Sequence, residues 1–353
     1  MNTAKPESIA LFCLTPGGVV LAQRLREALP LTCFTSEKLL QPGFIPFGGS
    51  FAQTVQQAFS QYSALVFIAA TGIVVRVIAP MLSDKLQDPA VVVMDERAEH
   101  VISLLSGHMG GANELTRQLA TLLNADPVIT TATDVNQMAA LDTLAAKLDA
   151  TMLDFRLAVK TVNQMLVSQQ RVGLWWDSEF APHAEHYDTR GFIAIESLDA
   201  LPELDALVCV TLRDSQPALN IPFYKLVPKR VIAGIGCRRD TPPQTVAALL
   251  SQQLAENHFD PLALCAIGSV MLKQDEPALL ELAQHHQIPF KLFSVDQLSE
   301  HEHRFPASEF VRLTVGVGSV SQPAAWLMSN GNLVGDTLKQ QGVTITLGVS
   351  NRC

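Results

Sequence analysis

The chain has 353 residues, of which 48% are hydrophobic and 17% are charged, so it can bury a sizeable core and is not a disordered polymer. At roughly 150 residues per domain, this length predicts two or three domains. The 34 acidic and 25 basic residues give a formal net charge of −9, and the absence of a run rich in Lys or Arg argues against nucleic-acid binding by phosphate neutralisation. An anionic ligand would therefore need a local basic pocket.

The most apolar stretch, residues 64–80, contains Gly72 and Arg76 and falls short of the roughly 18 unbroken apolar residues of a membrane helix. The apolar run at residues 9–14 lacks the flanks of a secretory signal. We therefore expect a cytoplasmic protein that does not contact a membrane. The six cysteines include no Cys-x-x-Cys pair, so neither a disulfide framework nor a structural zinc site is predicted.

Residues 1–135 are predicted to form an N-terminal α/β domain, because apolar runs of strand length alternate with segments of helical period. A strand pair is predicted around the turn formed by residues 96–99. Apolar positions recur at helical spacing within residues 113–123. The predicted strands are residues 9–14, 64–70, 91–95, 100–105 and 128–131.

Residues 136–228 are predicted to form a middle, variable α/β domain, and residues 229–353 a C-terminal α/β domain. The middle part begins with a helical pattern interrupted near Ala150, followed by strands at residues 172–176, 192–195 and 207–212. In the last part, Asp240 and Pro242 predict the start of a helix by a capping side chain and a first-turn proline. Strands are predicted there at residues 230–235, 262–267, 289–293 and 343–349, and helices at 276–286 and 323–329. The predicted fold class is three consecutive α/β segments with mainly parallel sheets flanked by helices, the first and last being Rossmann-like.

In parallel α/β sheets, ligands bind outside the carboxyl ends of strands, so loops from strand to helix are the places to search. The first such loop carries Gly72, which allows a sharp turn whose following amides can meet an anion. Arg76 lies one helical turn further on. The alternative interpretation is a plain turn with a solvated arginine.

The second loop, residues 106–114, is rich in glycine: Gly107, Gly110 and Gly111. Glycines allow close backbone approach to a ligand, and His108 is a group that exchanges protons near neutral pH. Glu114 could orient His108 or serve as a base itself. The spacing matches neither the P-loop nor the dinucleotide fingerprint. The alternative is a turn capped by Asn113 that contains a structural histidine.

The third loop contains Gly236, Cys237, Arg238 and Arg239 between a predicted strand and a predicted helix. Arginine forks suit carboxylates, and the start of the helix adds positive potential. Cys237 beside two cations could act as a nucleophile. The competing interpretation is a small residue packed under the turn.

A fourth group combines Lys273, which could pair with a substrate carboxylate, with a second possible anion nest at Gly316 and Gly318. Asp275 and Glu276 are explained by helix capping next to a proline. The remaining histidines lie in polar loops or at helix ends, and we predict no metal site.

Six stretches together resemble one known family: TGIVVRVIAP, DKLQDPAVVVMDE, VISLLSGHMGGANELTRQLA, LVPKRVIAGIGCRRDTP, LKQDEPALLELA and VGVGSVSQPAA. They are similar to the CbiG family, the cobalt-precorrin-5A hydrolases of anaerobic cobalamin biosynthesis. The resemblance is specific at both ends of the chain and looser through the middle segment. It implies a cobalt-containing, heavily carboxylated tetrapyrrole substrate carrying a δ-lactone. Opening of that lactone by water would release acetaldehyde and give cobalt-precorrin-5B.

The cobalt would belong to the substrate, so the resemblance implies no separate cofactor or metal, and we expect transient contacts with other enzymes of the pathway. In the expected mechanism, His108, oriented by Glu114, deprotonates the attacking water, while amides around Gly110 and Gly111 stabilise charge on the lactone oxygen. Peripheral carboxylates would be held by Arg76, Arg238, Arg239 and Lys273. The residues expected to contact substrate are Gly72, Arg76, Gly107, Gly110, Gly111, Asn113, Gly236, Cys237, Arg238, Arg239, Lys273, Gly316 and Gly318.

Two alternatives remain open from the sequence. The same loops would suit a non-catalytic carrier of cobalt-tetrapyrrole intermediates, since binding needs the arginines but not a base. An enzyme with Cys237 as nucleophile is the other possibility, and thiol-blocking reagents should then inactivate it.

Overall fold

The computed structural model describes residues 8–84, 87–215 and 217–350. Strands in these ranges form three sheets flanked by helices, which confirms the predicted α/β class. The chain divides between Thr143 and Leu144 into an N-terminal and a C-terminal compact unit. Among the described residues, no helix combines the length and the apolar character needed to cross a membrane.

The N-terminal unit contains one mostly parallel sheet with the strand order β3-β2-β1-β4-β5-β6-β7. Its strands are β1 (Ile9–Cys13), β2 (Leu31–Thr35), β3 (Ile45–Pro46), β4 (Ala64–Ile68), β5 (Ala90–Met94), β6 (His100–Leu105) and β7 (Asp126–Val128). The helices are α1 (Pro16–Ala28), α2 (Phe51–Gln61), α3 (Thr71–Ile78), α4 (Ala112–Leu123) and α5 (Ala132–Val135), and the first residues of α6 (Leu141–Leu148) belong to the same unit.

The central strands of this sheet are buried on both faces. Every residue of β4 and β5 is buried, the pattern of a parallel sheet covered by helices on both sides. Successive side chains alternate between two hydrophobic clusters, with Val66 and Val92 in one and Phe67 and Val93 in the other. This alternation follows from the two-residue period of a β-strand.

Strand β6 runs antiparallel to β5, with Val91 opposite Leu105 and Met94 opposite Val101. The tight turn between them is closed by Asp95, whose carboxylate accepts hydrogen bonds from nearby backbone amides. The end of β6 therefore lies beside the beginning of β5. The loop that follows β6 consequently opens at the opposite edge of the sheet from the loop between β4 and α3.

The C-terminal unit contains two sheets. The first has the order β10-β9-β11-β12-β8, in which only β8 is antiparallel to its neighbour. Its elements are β8 (Ala150–Thr151), α7 (Phe155–Val167), β9 (Val172–Trp176), β10 (Ile193–Ile195), β11 (Ala206–Val210) and β12 (Phe223–Pro228).

The second sheet of this unit has the order β15-β14-β13-β17-β16, with β13, β14 and β15 parallel. Its strands are β13 (Val231–Cys237), β14 (Leu264–Val270), β15 (Phe290–Phe293), β16 (Leu333–Gln340) and β17 (Val343–Val349). Its helices are α8 (Pro243–Glu256), α9 (Pro277–His286), α10 (Val295–Ser299), α11 (Glu309–Val315) and α12 (Ser321–Ser329).

Most predicted elements agree with the structure, and each of the three predicted segments contains one sheet; the domain boundaries themselves stay a prediction. The predicted capping by Asp240 is wrong: α8 begins at Pro243 after Pro242, and Asp240 has a φ of +58°. Cys265 is disulfide-bonded, a bond that no cysteine pattern in the sequence predicts, whereas Cys13, Cys33, Cys209 and Cys237 are free thiols. The elements that the sequence pattern missed include α1, β2, β12 and β16.

Helix α12 packs directly on the backbone of β13, and this contact yields a stability prediction. A Cβ atom at Gly234 would lie 2.0 Å from the carbonyl oxygen of Ser321 and 2.7 Å from the amide nitrogen of Ala325. We expect Gly234→Ala to lower the free energy of unfolding by about 3 kcal/mol, since the backbone atoms must move apart. The change can be measured by urea denaturation followed by circular dichroism.

Gly48→Ala is the matched control, because a Cβ at Gly48 meets nothing within 4 Å. Its unfolding midpoint should stay close to that of the parent. Equal midpoints for Gly234→Ala and the parent would contradict the close packing of α12 on β13.

Candidate active site

The glycine-rich loop between β6 and α4 is tightly folded on itself. Ser106 has a φ of +56°, and its carbonyl oxygen accepts the amide of Ala112 at 3.2 Å. A Cβ at Gly107 would lie 2.7 Å from Oδ1 of Asn113, and one at Gly110 would lie 2.4 Å from Cβ of Ser106. These two glycines are therefore required by close packing within the loop, and the expected close approach of a ligand is not needed to explain them.

His108 has hydrogen-bond partners on both ring nitrogens. Nδ1 lies 3.2 Å from Oδ2 of Asp142. Nε2 lies 3.1 Å from Oδ2 of Asp134 and 2.9 Å from Oγ1 of Thr133. The His108 side chain is 18% exposed and that of Asp142 is 8% exposed. The imidazole is thus fixed in orientation at a half-buried position.

The two carboxylates decide the charge of this imidazole. Burial lowers the pKa of His108, but the hydrogen bonds and negative charges of Asp142 and Asp134 outweigh burial and raise the pKa above the ordinary 6.5. Below that raised pKa the ring is an imidazolium that can donate to both carboxylates. Above it, one nitrogen is free to accept a proton.

Both carboxylate oxygens of Asp134 accept hydrogen bonds. Its Oδ2 accepts from Oγ1 of Thr131 at 2.5 Å and from Nδ2 of Asn113 at 2.8 Å, and its Oδ1 accepts from the guanidinium of Arg117. Burial raises the pKa of Asp134, but the hydrogen bonds from Thr131, Arg117 and His108 lower it below its usual range. Asp134 therefore stays an anion at neutral pH.

Asn113 fixes the strand, the helix and the carboxylate to one another. Its Oδ1 accepts from Oγ of Ser103 on β6 at 2.7 Å, and its Nδ2 donates to Thr131 at 3.0 Å as well as to Asp134. The residue is 3% exposed and lies inside α4, whose cap is Gly111. Its side chain positions Asp134 and does not cap the helix, so the alternative interpretation of Asn113 as a cap is wrong. Because both polar atoms of this side chain already have partners, neither is free for the expected contact with substrate.

Two other expectations for this loop are wrong, one about Glu114 and one about the amide of Gly111. Glu114 does not orient His108: its side chain is 80% exposed, with Oε2 3.7 Å from Arg117. The amide of Gly111 donates to the carbonyl oxygen of His108 at 2.9 Å, so it is not free to stabilise an oxyanion. The partners of His108 were missed because they lie 25–34 residues further along the chain. The one signal for them was the hydroxyl-rich run before Asp134, residues 130–133.

The loop with Gly72 and Arg76 lies at the other edge of the N-terminal sheet, and both residues are exposed. A cavity of about 460 Å³ opens beside it. Its lining consists of Ala69, Ala70, Thr71, Val93, Met94, Asp95, Glu96, Arg97, Glu99, His100 and Ile102. Acidic side chains outnumber basic ones in this lining, so the cavity is poorly suited to a carboxylate.

In the C-terminal unit, Arg238 and Arg239 follow β13 and are exposed. Arg239 Nη1 lies 3.6 Å from Oδ2 of Asp275. Lys273 donates to Oε2 of Glu276 at 2.7 Å, and Glu276 is only 2% exposed. The structure thus gives Lys273 an internal partner in place of the predicted substrate carboxylate.

Glu276 has a different role from the predicted helix cap. It stands at the N-cap position of α9, but its side chain makes no capping hydrogen bond to the helix. Instead its Oε1 accepts the backbone amide of Asp240 at 3.1 Å, which ties the arginine loop to Lys273. The carboxylate therefore holds the loop that follows β13 in place.

Cys237 lacks the features of the predicted nucleophile, and Gly316 and Gly318 lack those of the predicted anion nest. Burial raises the pKa of the Cys237 thiol, and the nearby Lys273 only partly opposes this effect, so the thiolate is disfavoured. Gly316 has a φ of +93° and ends α11 by donating to the carbonyl of Arg312. A Cβ at Gly318 would lie 2.6 Å from Cβ of Ala307. Helix termination and packing account for both glycines without an anion.

In the described part of the chain, no group of three or more His, Cys, Asp or Glu side chains is arranged to hold a metal ion. The carboxylates of Asp134 and Asp142 lie on opposite ring nitrogens of His108. The arrangement suits proton transfer and not metal coordination.

Family models match three consecutive parts of the chain. They are described as cobalamin synthesis G N-terminal at residues 53–134, cobalamin biosynthesis central region at residues 139–222, and cobalamin synthesis G C-terminus at residues 231–348. The chain is 66% identical over 351 residues to the cobalt-precorrin-5A hydrolase of Salmonella typhimurium, covering 99% of this chain and 100% of the relative. The chain belongs to the CbiG family.

A second relative of this CbiG chain is the cobalt-precorrin-5A hydrolase of Priestia megaterium, which is 34% identical over 361 residues. The match covers 97% of this chain and 94% of the relative. Among solved structures, a cobalamin biosynthesis protein G homologue from Sulfolobus solfataricus is 18% identical. That match covers 98% of both chains with a TM-score of 0.39.

The raised pKa of His108 makes stability depend on pH. A group whose pKa is higher in the folded protein stabilises the fold fully below its unfolded pKa, about 6.5 for histidine, and this contribution is lost as pH rises through the folded value. We expect the melting temperature of the parent to exceed that of His108→Asn at pH 6, with the difference shrinking towards pH 9. Differential scanning calorimetry across this range provides the measurement.

His303→Asn serves as the control, because His303 is exposed. Its melting temperature should follow that of the parent at every pH. A difference between the parent and His108→Asn that stays constant from pH 6 to pH 9 would contradict the ion pairs of His108.

Proposed function

We propose that this chain is a cobalt-precorrin-5A hydrolase, which opens the δ-lactone of cobalt-precorrin-5A with water and releases acetaldehyde to give cobalt-precorrin-5B. The observation that carries this proposal is the 66% identity to the Salmonella typhimurium enzyme of that name over 99% of the chain. The Priestia megaterium relative bears the same name. The three matched family models follow one another in chain order.

The cobalt of this reaction is part of the substrate. We propose that the protein supplies no cofactor and no resident metal, and that its contribution is binding and proton transfer. Opening a lactone needs a base for the attacking group and an acid for the leaving oxygen. One group that gains and loses a proton near neutral pH can perform both tasks, and histidine has this property.

We assign this proton transfer to His108. Asp142 on Nδ1 holds the ring in one orientation, as an orienting carboxylate does in acyl-transfer enzymes. His108 must be neutral to act as a base, so its raised pKa places the active range towards neutral and alkaline pH. Glu114 is far more exposed and contacts Arg117, and we give it no part in proton transfer.

Exposed arginines are the groups we propose for binding the peripheral carboxylates. Arg238 and Arg239 follow one strand of the C-terminal unit. Arg76 lies on α3, at the edge of the N-terminal sheet opposite His108, and we give it no part in this binding. Guanidinium groups bind carboxylates through paired hydrogen bonds. The protein as a whole has a net charge of −9 and repels anions. An arginine pair in one loop therefore favours binding of an anion at that loop over attraction of anions to the whole surface. We also propose a cytoplasmic location and transient contacts with other enzymes of the pathway.

The direct test is acetaldehyde release from cobalt-precorrin-5A under anaerobic conditions, with the parent and His108→Asn assayed side by side. The parent should release one acetaldehyde per substrate, and added EDTA should leave its rate unchanged. His108→Asn should be slower by about 10²-fold or more, because a general acid–base group contributes 10²–10⁴-fold.

His303→Asn again provides the control for an exposed histidine. Substrate binding by the parent without acetaldehyde release would overturn the proposal in favour of the carrier alternative. Full activity of His108→Asn would leave the reaction in place but remove His108 from it. Loss of activity in EDTA would contradict the absence of a resident metal.

Carboxylate binding by the arginine pair predicts a selective change in KM. We expect Arg238→Gln combined with Arg239→Gln to raise KM by roughly 10-fold or more and to change kcat little, because hydrogen bonds to charged groups contribute about 1.5–3 kcal/mol each. Steady-state acetaldehyde assays over a range of substrate concentrations measure both constants.

Arg24→Gln is the matched control, since it removes an exposed positive charge from α1. Its KM should equal that of the parent. A double variant with unchanged KM would exclude the arginine pair from substrate binding.

A further inference from the structure

A buried hydroxyl lies against the base of the candidate active site. Oγ1 of Thr133 is 2.9 Å from Nε2 of His108, and Oδ2 of Asp142 is 3.2 Å from Nδ1 of the same ring. A hydroxyl, an imidazole and a carboxylate in this order form the nucleophile, base and orienting group of many acyl-transfer enzymes. We propose that Thr133 is the nucleophile that opens the lactone, with His108 as its base and Asp142 as the orienting carboxylate. This inference rests on the proposed function.

The position of Thr133 is fixed by its neighbours in the chain. The adjacent Asp134 is held by Asn113 and Arg117 of α4. The carbonyl of Thr133 accepts the amide of Met138 at 2.8 Å. Thr133 is 5% exposed, and its hydroxyl is in hydrogen-bond contact with the imidazole before substrate binds. The pairing of nucleophile and base is therefore already formed.

A second carboxylate competes for the same ring nitrogen. Oδ2 of Asp134 lies 3.1 Å from Nε2 of His108. When the ring is protonated, Nε2 donates to Asp134; when the ring is neutral, Nε2 can accept the proton of Thr133. The charged groups that face the ring are Asp134 and Asp142, with Arg117 paired to Asp134. Asp142 and Asp134 together therefore set the pH above which Thr133 becomes nucleophilic.

In the first half of the reaction, Oγ1 of Thr133 bonds to the lactone carbonyl carbon while its proton passes to Nε2 of His108. The lactone carbon–oxygen bond breaks, and the leaving oxygen takes the proton from Nε2. The side-chain acyl group is then an ester of Thr133. The freed hydroxyl loses its proton as its carbon leaves as acetaldehyde, and the macrocycle keeps the electron pair of the broken carbon–carbon bond and takes up a proton.

In the second half, water attacks the ester and gives a proton to Nε2 of His108. The bond between the acyl carbon and Oγ1 breaks, and Thr133 recovers its proton from the ring. The product leaves as a carboxylic acid, and one water has been consumed. No oxidant, reductant or metal enters the sequence.

The test is rapid acid quench of the parent during its first turnover, followed by mass spectrometry of the intact protein and of its peptides. An adduct of the tetrapyrrole on the peptide that contains Thr133 is expected. Thr133→Val should give no adduct and should release acetaldehyde at least about 10³-fold more slowly. Thr133→Ser, which restores a hydroxyl, should stay within roughly 10-fold of the parent and form the adduct on the serine.

Two further variants separate a nucleophile from a structural hydroxyl. Thr131→Val removes a hydroxyl that donates to Asp134 and should retain at least about 10-fold more activity than Thr133→Val. Asp134→Asn removes the anion beside Nε2, so the acid limb of the kcat/KM profile should move to lower pH. Melting temperatures of all variants show whether each one folds.

Acetaldehyde release by Thr133→Val at the parent rate would overturn the nucleophile and leave the proposed function intact. So would first-turnover acetaldehyde release from the parent without an adduct at Thr133, even if Thr133→Val fails to fold. A parent that binds substrate and releases no acetaldehyde would instead overturn the proposed function.

Discussion

The arrangement of the N-terminal site depends on the hydrogen bonds that the carboxylate of Asp134 accepts. Its carboxylate accepts from the hydroxyl of Thr131, the amide of Asn113 and the guanidinium of Arg117. A half-buried anion is tolerated because each of its oxygens has donors. The same anion lies against His108 and, together with Asp142, raises the pKa of that imidazole.

The direction of one strand decides where this site can be. Because β6 is antiparallel to β5, the loop of His108 opens at the edge opposite to Gly72. In a fully parallel sheet, both loops would lie at the carboxyl edge and would contribute to one crevice. The antiparallel strand instead brings His108 next to the segment after β7, which carries Thr133 and Asp134.

In the C-terminal unit, Lys273 has a buried ionic partner, whereas Arg238 and Arg239 are exposed. The ammonium of Lys273 is paired with the nearly inaccessible Glu276, and an ion pair of this kind is costly to break. The same carboxylate holds the amide of Asp240 and so fixes the end of the loop that carries Arg238 and Arg239. The side chains of Arg238 and Arg239 are exposed, and Nη1 of Arg239 lies 3.6 Å from Oδ2 of the equally exposed Asp275.

The sequence by itself determined the α/β class, most strands and helices, and the glycine-rich loop with His108, because hydrophobic period and glycine clusters are local signals. The partners of His108 were decided only by the tertiary structure. Asp142 lies 34 residues away, and spacing along a chain does not show which loops meet in space. Glu114 was the nearest acid in sequence, yet helix α4 directs its side chain into solvent. Strand direction and side-chain orientation are consequences of packing, and they placed Asp134, Asp142 and Thr133 on the ring instead.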